Sequence, residues 1–468
     1  MKTTLKRLIA AILIMGSVCS DSFGGIPTVA DYPSIQAALD ANPGQMVLVP
    51  DGDHLIQKKI RISRDGSGLY GYGRILQEDP EQPILEIEGA EGVRVCDLTF
   101  SRAEGKQEAR APGVLILDCT DTLLDGVRVL DNHASEGSID LRDCVRCIVR
   151  DCEVTNYKRI TVDDRTESDL YGYAFHAIDG HGILVRFSQG TRVTDNRVVE
   201  NRLLPTPEIK EKHNLGQLTP GKKPNHVGEL ASDVLRRGSV TNWHQGSAIM
   251  VSSPESTDHT IITGNYIENC AQGIDIHSDH VICSRNIVKC GMMGVKATHG
   301  SRNLIITENQ LNRIDLWGII LNPGALSHAA EAASEGKSQR AANVDGGTII
   351  AENIISDYGY GHEYWNWGGA SEDKKGSYAI ALYEGQLPTN PPLGDVLIQG
   401  NVVYDHGRDQ ILVDGEPKVA PPRYRYAIYV GPWGESNEKG PTYPTGIRFE
   451  GNLLHPGLAG ISNVELTP

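Results

Sequence analysis

The chain has 468 residues, of which 39% are hydrophobic and 6% aromatic, and its formal net charge is −16. That length suffices for one large domain or two ordinary ones, and no Gly/Ser-rich or Pro-rich linker divides the chain. The acidic balance argues against nucleic acid and anionic membranes as partners. It also counts mildly against a polyanionic substrate, although a local basic patch can override the net charge.

The first twenty residues have the pattern of a signal peptide. Lys2, Lys6 and Arg7 precede an apolar stretch at 8–15, and small residues near 17–20 permit cleavage. We therefore predict a signal peptide over 1–20, a mature domain over 25–468, and export to the periplasm or the extracellular space. A lipid anchor at Cys19 is the alternative. The apolar stretch is too short to cross a bilayer, and no membrane span is expected elsewhere.

A capping helix is predicted next. The segment SIQAALDAN at 34–42 places Ile35, Ala38 and Leu39 at helical spacing behind Ser34, which is a good N-cap residue. The strand MVLVP follows at once. We expect the helix to close the N-terminal end of a stack, because an open solenoid end exposes core and strand edges.

A short phrase then recurs: two or three apolar residues, a small or acidic residue, Asn, and apolar residues again. Its asparagines are Asn196, Asn265, Asn286, Asn309, Asn353, Asn401 and Asn452, and from Asn265 onward they are 21, 23, 44, 48 and 51 residues apart. A period of roughly 22 with insertions is typical of a solenoid. We interpret the asparagines as structural, with stacked side chains that bond to each other and to the backbone.

Each repeat also contains an earlier strand of the form small–apolar–x–apolar–x, as in GIDIH at 273 and GVKAT at 294. Strand alternation points Ile274 and Ile276 inward and Asp275 and His277 outward. Aligned copies of this strand give two outward columns. They are Leu184, Met250, Asp275, Lys296, Ile320, Ala381 and Tyr429, and Arg186, Ser252, His277, Thr298, Asn322, Tyr383 and Gly431. Asp275 and Lys296 should therefore be neighbours on turns about 4.8 Å apart.

The insertions flank this first strand. Residues 322–345, 385–394 and 432–444 follow it, and residues 202–240, 357–377 and 405–425 precede it. We expect these loops to form a groove whose floor is the outward columns. The loop DYGYGHEYWNWGG at 357–369 contributes Trp365 and Trp367, which could stack on sugar rings or pack the loop against the stack.

The groove floor predicts a catalytic group of Asp275, His277 and Lys296. An acid, an imidazole and an amine can together hold and deprotonate a substrate, whereas the alternative is a solvated ion pair of little consequence. The candidate substrate-binding residues are Arg186, His299, Arg302, Asn322, Tyr383, Trp365 and Trp367. No metal ligand is assigned. Carboxylates that could bind calcium are plentiful, but they lack EF-hand spacing.

Eight cysteines follow Cys19, in two clusters of three and two single positions. We interpret most of them as small buried apolar residues, with some disulfide pairing as the alternative.

The repeats, the capping helix and the export signal together resemble the right-handed parallel β-helix proteins of the pectin-lyase-like superfamily, over roughly residues 30–460. This resemblance implies secreted polysaccharide lyases, glycoside hydrolases or uronate epimerases. QGIDIH at 272–277 resembles the Y-G-(F/I)-D-P-H motif of mannuronan C5-epimerases, which implies catalytic roles for Asp275 and His277, although Gln272 and Ile276 replace the Tyr and Pro. GVKATHGSRN, with Lys296, His299 and Arg302, more loosely resembles the Lys and Arg pair of alginate and chondroitin lyases.

We therefore expect an all-β, single-domain right-handed parallel β-helix that acts on a uronic-acid polysaccharide, by β-elimination or, second, by C5 epimerisation. Lys296 would be the base or would neutralise the C6 carboxylate, His277 would be the partner acid/base, and Asp275 would orient it. Arg186 and Arg302 are candidate carboxylate binders. The alternatives are a glycoside hydrolase that uses Asp275 with a carboxylate such as Glu384, and a non-catalytic carbohydrate-binding surface protein.

Overall fold

The computed structural model describes residues 26–109, 111–134, 136–158, 165–168, 172–175, 180–201, 246–334, 336, 338–358, 378–405, 411–413, 415–418, 422, 424–431 and 444–466. The predicted signal peptide, the loop with Trp365 and Trp367, and the whole predicted insertion 202–240 lie outside these residues. Within the described ranges no helix is long and apolar enough to cross a membrane.

The strands of the first half are β1 Met46–Ile56, β2 Ile60–Ile62, β3 Gly68–Gln77, β4 Leu85–Glu88, β5 Arg94–Cys96, β6 Thr99–Arg102, β7 Val114–Leu117, β8 Leu123–Asp125, β9 Arg128–Leu130, β10 Gly137–Arg142, β11 Ile148–Arg150, β12 Glu153–Thr155, β13 Arg165–Ser168, β14 Gly172–Phe175, β15 His181–Arg186, β16 Arg192–Thr194, β17 Arg197–Val199 and β18 Ser247–Ser252. Those of the second half are β19 Ile261–Thr263, β20 Tyr266–Glu268, β21 Gln272–Ile276, β22 Ile282–Ser284, β23 Ile287–Thr298, β24 Ile305–Thr307, β25 Gln310–Asn322, β26 Gly346–Ala351, β27 Ile354–Ser356, β28 Tyr378–Tyr383, β29 Gly394–Gln399, β30 Val402–Tyr404, β31 Ile411–Val413, β32 Glu416–Lys418, β33 Tyr426–Gly431, β34 Thr445–Glu450, β35 Leu453–Leu454 and β36 Gly460–Ser462.

Thirty-two of these strands form one parallel network, in which each strand pairs with its equivalent on the next turn. A turn has three strands, for example β21, β22 and the start of β23, and β23 then bends to become the first strand of the following turn. The remaining strands form two antiparallel hairpins, β13–β14 and β31–β32. The chain is a right-handed parallel β-helix, as predicted.

The N-terminal end of the stack is closed by helix α1, Ile35–Ala41. The Ser34 side chain accepts a hydrogen bond from the Ala37 N–H and so caps the helix. Ile35, Ala38 and Leu39 are buried against the first turns. The predicted helix and its apolar face are both confirmed.

The repeated asparagines form a continuous ladder along one corner of the solenoid. From Asn196 to Asn452, each Asn donates through Nδ2 to the Oδ1 of the next Asn, at 2.9–3.0 Å, and that same Oδ1 also accepts a backbone N–H. The residue before each Asn has a positive φ, such as 58° at Asp195 and 71° at Gly264. The corner favours Gly or a short polar residue there, which accounts for Asp195, Gly264, Gly400 and Gly451, whereas Arg285, Glu308 and Glu352 adopt the same conformation with longer side chains.

The core is a column of inward Val, Ile and Leu side chains that runs the length of the stack. Six of the eight described cysteines are buried in it or at its edge, and all eight are free thiols. The interpretation of most cysteines as small buried apolar residues agrees with this arrangement, and the disulfide alternative does not.

Candidate functional site

The two outward columns occur in the predicted register. Met250 pairs with Asp275, Asp275 with Lys296, Lys296 with Ile320, and Ile320 with Ala381. The inward partners Ile274 and Val295 hold these strands in the core. Asp275 and Lys296 are thus brought together because no insertion interrupts the single turn that leads from β21 to the second half of β23.

Asp275 is in contact with both His277 and Lys296. Its Oδ1 lies 2.9 Å from His277 Nε2, and its Oδ2 lies 3.3 Å from Lys296 Nζ. The Oδ1 and Nε2 atoms are close enough for an ion pair, but they are not aligned as a hydrogen bond, and neither has another hydrogen-bond partner among the described residues. Lys296 Nζ also donates to Gln272 Oε1 at 3.4 Å. The Gln that replaces the expected Tyr therefore helps to hold the ammonium, a role that its position at the start of the strand did not suggest.

The pKa of Asp275 lies well below its usual value. Burial acts to raise this pKa, but His277 and Lys296 outweigh it and stabilise the carboxylate. Asp275 is almost completely buried, whereas the Lys296 side chain is 17% exposed. The site therefore has a buried anion at its base and a lysine that is partly exposed to solvent.

His299 is a second imidazole beside the site. Its ring meets that of His277 edge-on, with centroids 4.6 Å apart, and its Nδ1 accepts the Leu326 N–H at 3.3 Å. Burial, together with the nearby His277 and Lys296, lowers the pKa of His299 to about 3. His299 is therefore neutral with its proton on Nε2, so it can donate a hydrogen bond but cannot act as an ordinary acid near neutral pH.

Two buried polar side chains next to this group lack hydrogen-bond partners among the described residues. They are Asn322, through both amide atoms, and Thr298, through Oγ1. Both belong to the column of His277, and Thr298 pairs with Asn322. Because an unpaired buried polar group costs free energy, these atoms indicate a site that a polar ligand or water would complete.

The insertion after β25 covers one side of the site. Asp345 accepts hydrogen bonds from the N–H groups of Gly300 and Ser301, both at 3.0 Å, and from the Ser327 hydroxyl. A Cβ built on Gly324 would lie only 2.2 Å from His299 Nδ1 and 2.5 Å from Thr298 Oγ1. The insertion is thus pinned at a point where only glycine fits over the site.

Arg302 belongs to this wall and not to the floor. Its Nε donates to Asp279 at 2.7 Å, and its Nη1 donates to the Ala342 carbonyl at 3.1 Å. The side chain is 38% exposed. It fastens the insertion to the stack, and its predicted role as a carboxylate binder stays a prediction.

Arg186 lies on the N-terminal side of the site, in register with Ser252. Its Nη2 contacts Glu136 and Asp140, and Arg142 contacts the same two carboxylates. The sequence reasoning missed Glu136 and Asp140. Asp140 could have been found, since it continues the column of Leu184, Met250 and Asp275 by one earlier turn.

Tyr383 is buried on the C-terminal side. Its hydroxyl accepts the Trp317 indole N–H at 3.2 Å, and its ring lies among those of Tyr378 and Tyr429. Burial raises the pKa of Tyr383 well above the usual value. The side chain therefore packs this end of the floor and is not an exposed contact for substrate.

Glu384 is too far along the stack to pair with Asp275. Ala381, three residues before it, is three inter-strand steps from Asp275, or about 14 Å. Carboxylate pairs in glycoside hydrolases are about 5–9.5 Å apart. In the described part of the chain, no group of three or more His, Cys, Asp or Glu could hold a metal ion.

Several solved structures share this fold. The Dettilon tailspike protein matches with a TM-score of 0.55 and 15% identity, over 95% of this chain and 70% of that protein. The catalytic domain of a GH87 alpha-1,3-glucanase in complex with nigerose matches with a TM-score of 0.53 and 10% identity, over 95% and 67%. An exopolygalacturonase from Thermotoga maritima matches with a TM-score of 0.51 and 11% identity, over 84% and 91%. No protein-family model and no curated protein sequence matches.

Proposed function

We propose that this chain is an exported enzyme that cleaves a uronic-acid polysaccharide by β-elimination. The observation that supports this most is the contact of one buried carboxylate, Asp275, with both His277 and Lys296 on the groove floor. The unpaired amide of Asn322 lies in the same column. Two structures of the same fold, a glucanase and an exopolygalacturonase, are named for activity on polysaccharides, which favours that substrate class.

The charged side chains on the floor favour β-elimination over a hydrolysis that uses two carboxylic acids. Hydrolysis needs a second carboxylate at a defined distance from the first. Among the described floor residues, Asp140 and Glu384 are the acids nearest in register, and both are about three turns from Asp275. Elimination instead needs a cation for the sugar carboxylate and a base for the C5 proton, and Lys296 and His277 can supply both.

The roles follow from the contacts. Asp275 holds the Lys296 ammonium, which would neutralise the C6 carboxylate and make the C5 proton more acidic. When the His277 proton is on Nε2, beside Asp275, Nδ1 is the atom that can take the C5 proton. The C4–O bond then breaks, and the leaving oxygen takes that proton from His277 Nδ1. Asn322 and the Nε2–H of His299 would bind the sugar carboxylate or the hydroxyl groups.

The test is incubation with a panel of polyuronates, namely alginate, polygalacturonate, hyaluronan and chondroitin sulfate. Ultraviolet absorbance of the unsaturated uronate and reducing ends are measured in parallel. Elimination predicts that both rise together. Reducing ends without absorbance would indicate hydrolysis, a change of epimer ratio without cleavage would indicate C5 epimerisation, and binding without either would indicate a carbohydrate-binding protein.

Lys296→Ala tests the assignment of residues. We expect kcat/KM to fall by about 10²–10⁴, the usual range for loss of one such group. Lys289→Ala is the matched control, because Lys289 lies on the same strand and pairs with Glu268 at 2.8 Å on the opposite side of the stack. Full activity of Lys296→Ala on a cleaved polyuronate would refute the proposal.

A further inference from the structure

Ser252 is a hydroxyl beside the site that the elimination does not use. It is the last residue of β18 and is half-buried. Its Oγ lies 3.4 Å from Nδ1 of His277, whose other nitrogen lies 2.9 Å from Asp275 Oδ1. Ser252, His277 and Asp275 therefore form a row in space, in which each side chain lies within contact distance of the next.

This order of groups is that of an activated serine nucleophile. When the His277 proton is on Nε2, which lies 2.9 Å from Asp275 Oδ1, the lone pair is on Nδ1, where it can take the Ser252 proton. The Nε2 and Oδ1 atoms are not aligned as a hydrogen bond in this structure, so the imidazole has to turn slightly to make that bond. Asp275 is ionised and can stabilise the imidazolium that forms. The Ser252–His277 distance is long for a hydrogen bond, as catalytic contacts often are before a ligand binds.

The other side of Ser252 has a group that can stabilise an oxyanion. Arg186 pairs with Ser252 on the preceding turn, and its Nη2 is held by Glu136 and Asp140. Its Nε is buried and has no hydrogen-bond partner within the part of the chain that the structure describes. A fixed N–H donor with positive charge, about one inter-strand step from the nucleophile, suits a tetrahedral intermediate.

We propose that Ser252, His277 and Asp275 hydrolyse an ester on the polysaccharide, such as an O-acyl group on a sugar hydroxyl. Ser252 Oγ attacks the acyl carbon as His277 Nδ1 takes its proton. The bond from the acyl carbon to the sugar oxygen breaks, and that oxygen takes the proton from His277. Water, deprotonated by His277, then attacks the acyl-serine, so that a carboxylic acid leaves and Ser252 regains its proton.

This second activity goes beyond the proposed elimination and depends on it only for the presence of a polysaccharide in the groove. The elimination requires Lys296 and no nucleophile, whereas ester hydrolysis requires Ser252 and leaves the glycosidic bond intact. The two proposals can therefore fail separately.

The first experiment labels the full chain with a fluorophosphonate and maps the modified residue by mass spectrometry. This probe needs no knowledge of the natural ester. We expect an adduct at Ser252, its absence in Ser252→Ala, and labelling at least 10-fold slower in His277→Gln. Ser284→Ala is the matched control and should label at the wild-type rate, because Ser284 on β22 contacts Thr263 on β19, away from the strands that carry the site.

The second experiment measures acetate release from chemically O-acetylated polygalacturonate and hydrolysis of p-nitrophenyl acetate. Ser252→Ala should lower both rates at least 100-fold. No adduct at Ser252 in the wild type, labelling that is independent of His277, or hydrolysis that survives Ser252→Ala would each overturn the proposal. Ultraviolet absorbance followed in the same samples reports the elimination, so loss of one activity is distinguished from loss of the other.

Discussion

The asparagine ladder gives the sharpest stability prediction. Asn309 is fully buried in the middle of the ladder. Its Oδ1 accepts the backbone N–H and the Nδ2 group of Asn286, both at 3.0 Å, and its Nδ2 donates to the Cys283 carbonyl at 3.0 Å and to Asn353 Oδ1 at 2.9 Å. Asn309→Ala removes all four hydrogen bonds at once, in a place that water cannot reach.

The expected loss of stability follows from the number of hydrogen bonds removed. A typical intramolecular hydrogen bond contributes about 1 kcal/mol net, and a buried donor left unpaired costs more, so Asn309→Ala should lower the free energy of unfolding by about 4 kcal/mol. Asn452→Ala is the matched control. Asn452 ends the ladder, makes three such bonds and is half-buried, so that water can replace its contacts. Its loss should cost at most about half as much.

The assay is denaturant unfolding followed by circular dichroism, with the midpoint compared among wild type, Asn309→Ala and Asn452→Ala. A shift that is small and equal in both variants would refute the view that the buried ladder stabilises the stack. A large shift for Asn452→Ala alone would refute it as well, because it would place the important contacts at the C-terminal end.

Three further predictions concern the site and its wall. Burial raises the pKa of Asp345 to about 7, so the native state binds more protons than the unfolded state between about pH 4 and 7. The contribution of Asp345 to the free energy of unfolding should then fall by about 4 kcal/mol as the pH rises through that range. Asp345→Asn should flatten that part of the melting-temperature profile, and an unchanged slope would contradict the assignment. The change of stability with pH that is due to His299 has the opposite sign. Its native pKa of about 3 lies below the ordinary value of 6.5, so stability should be lost as the pH falls from about 6.5 toward 3, and His299→Gln should reduce this loss in acid titration of the melting temperature. Gly324→Ala should lower activity at least 10-fold, the scale of one disturbed hydrogen-bonded group, because its Cβ would displace His299 or the insertion. Gly394→Ala, where the nearest atom would be 3.6 Å from the new Cβ, is the matched control, and equal activities of the two variants would count against a role for the wall.

The parts of this molecule that the sequence predicts are those that repeat. Asp275 and Lys296 are 21 residues apart, as are Asn265 and Asn286, so the ladder reports the register of the floor directly. Contacts outside the period could not be predicted in this way. The bond from Asp345 to Gly300 joins an insertion to a turn 45 residues earlier. The burial of Tyr383 depends on its aromatic neighbours, although strand alternation alone points it outward.

The same pattern explains why the contacts of some single residues could not be predicted. Arg302 and Lys296 are close in sequence, and both are basic. Lys296 lies within a strand whose alternation fixes its direction, whereas Arg302 lies in a corner, where the direction depends on Asp279 and the Ala342 carbonyl. Periodicity predicts the position of a residue along the solenoid axis, but it does not predict the hydrogen-bond partners of a side chain at a corner.

The stacking of parallel strands also limits the distances at which reactive groups can be placed along the floor. Floor residues in one column are separated by whole multiples of the strand spacing, about 4.8 Å, so these separations change only in steps. Deleting residues 266–286 would remove one complete turn, join Asn265 to the segment before Asn309, and bring Lys296 beside Met250. A fold of this kind can therefore retune the distance between its reactive groups by gaining or losing a turn, while intermediate distances must come from the loops that rise from its corners.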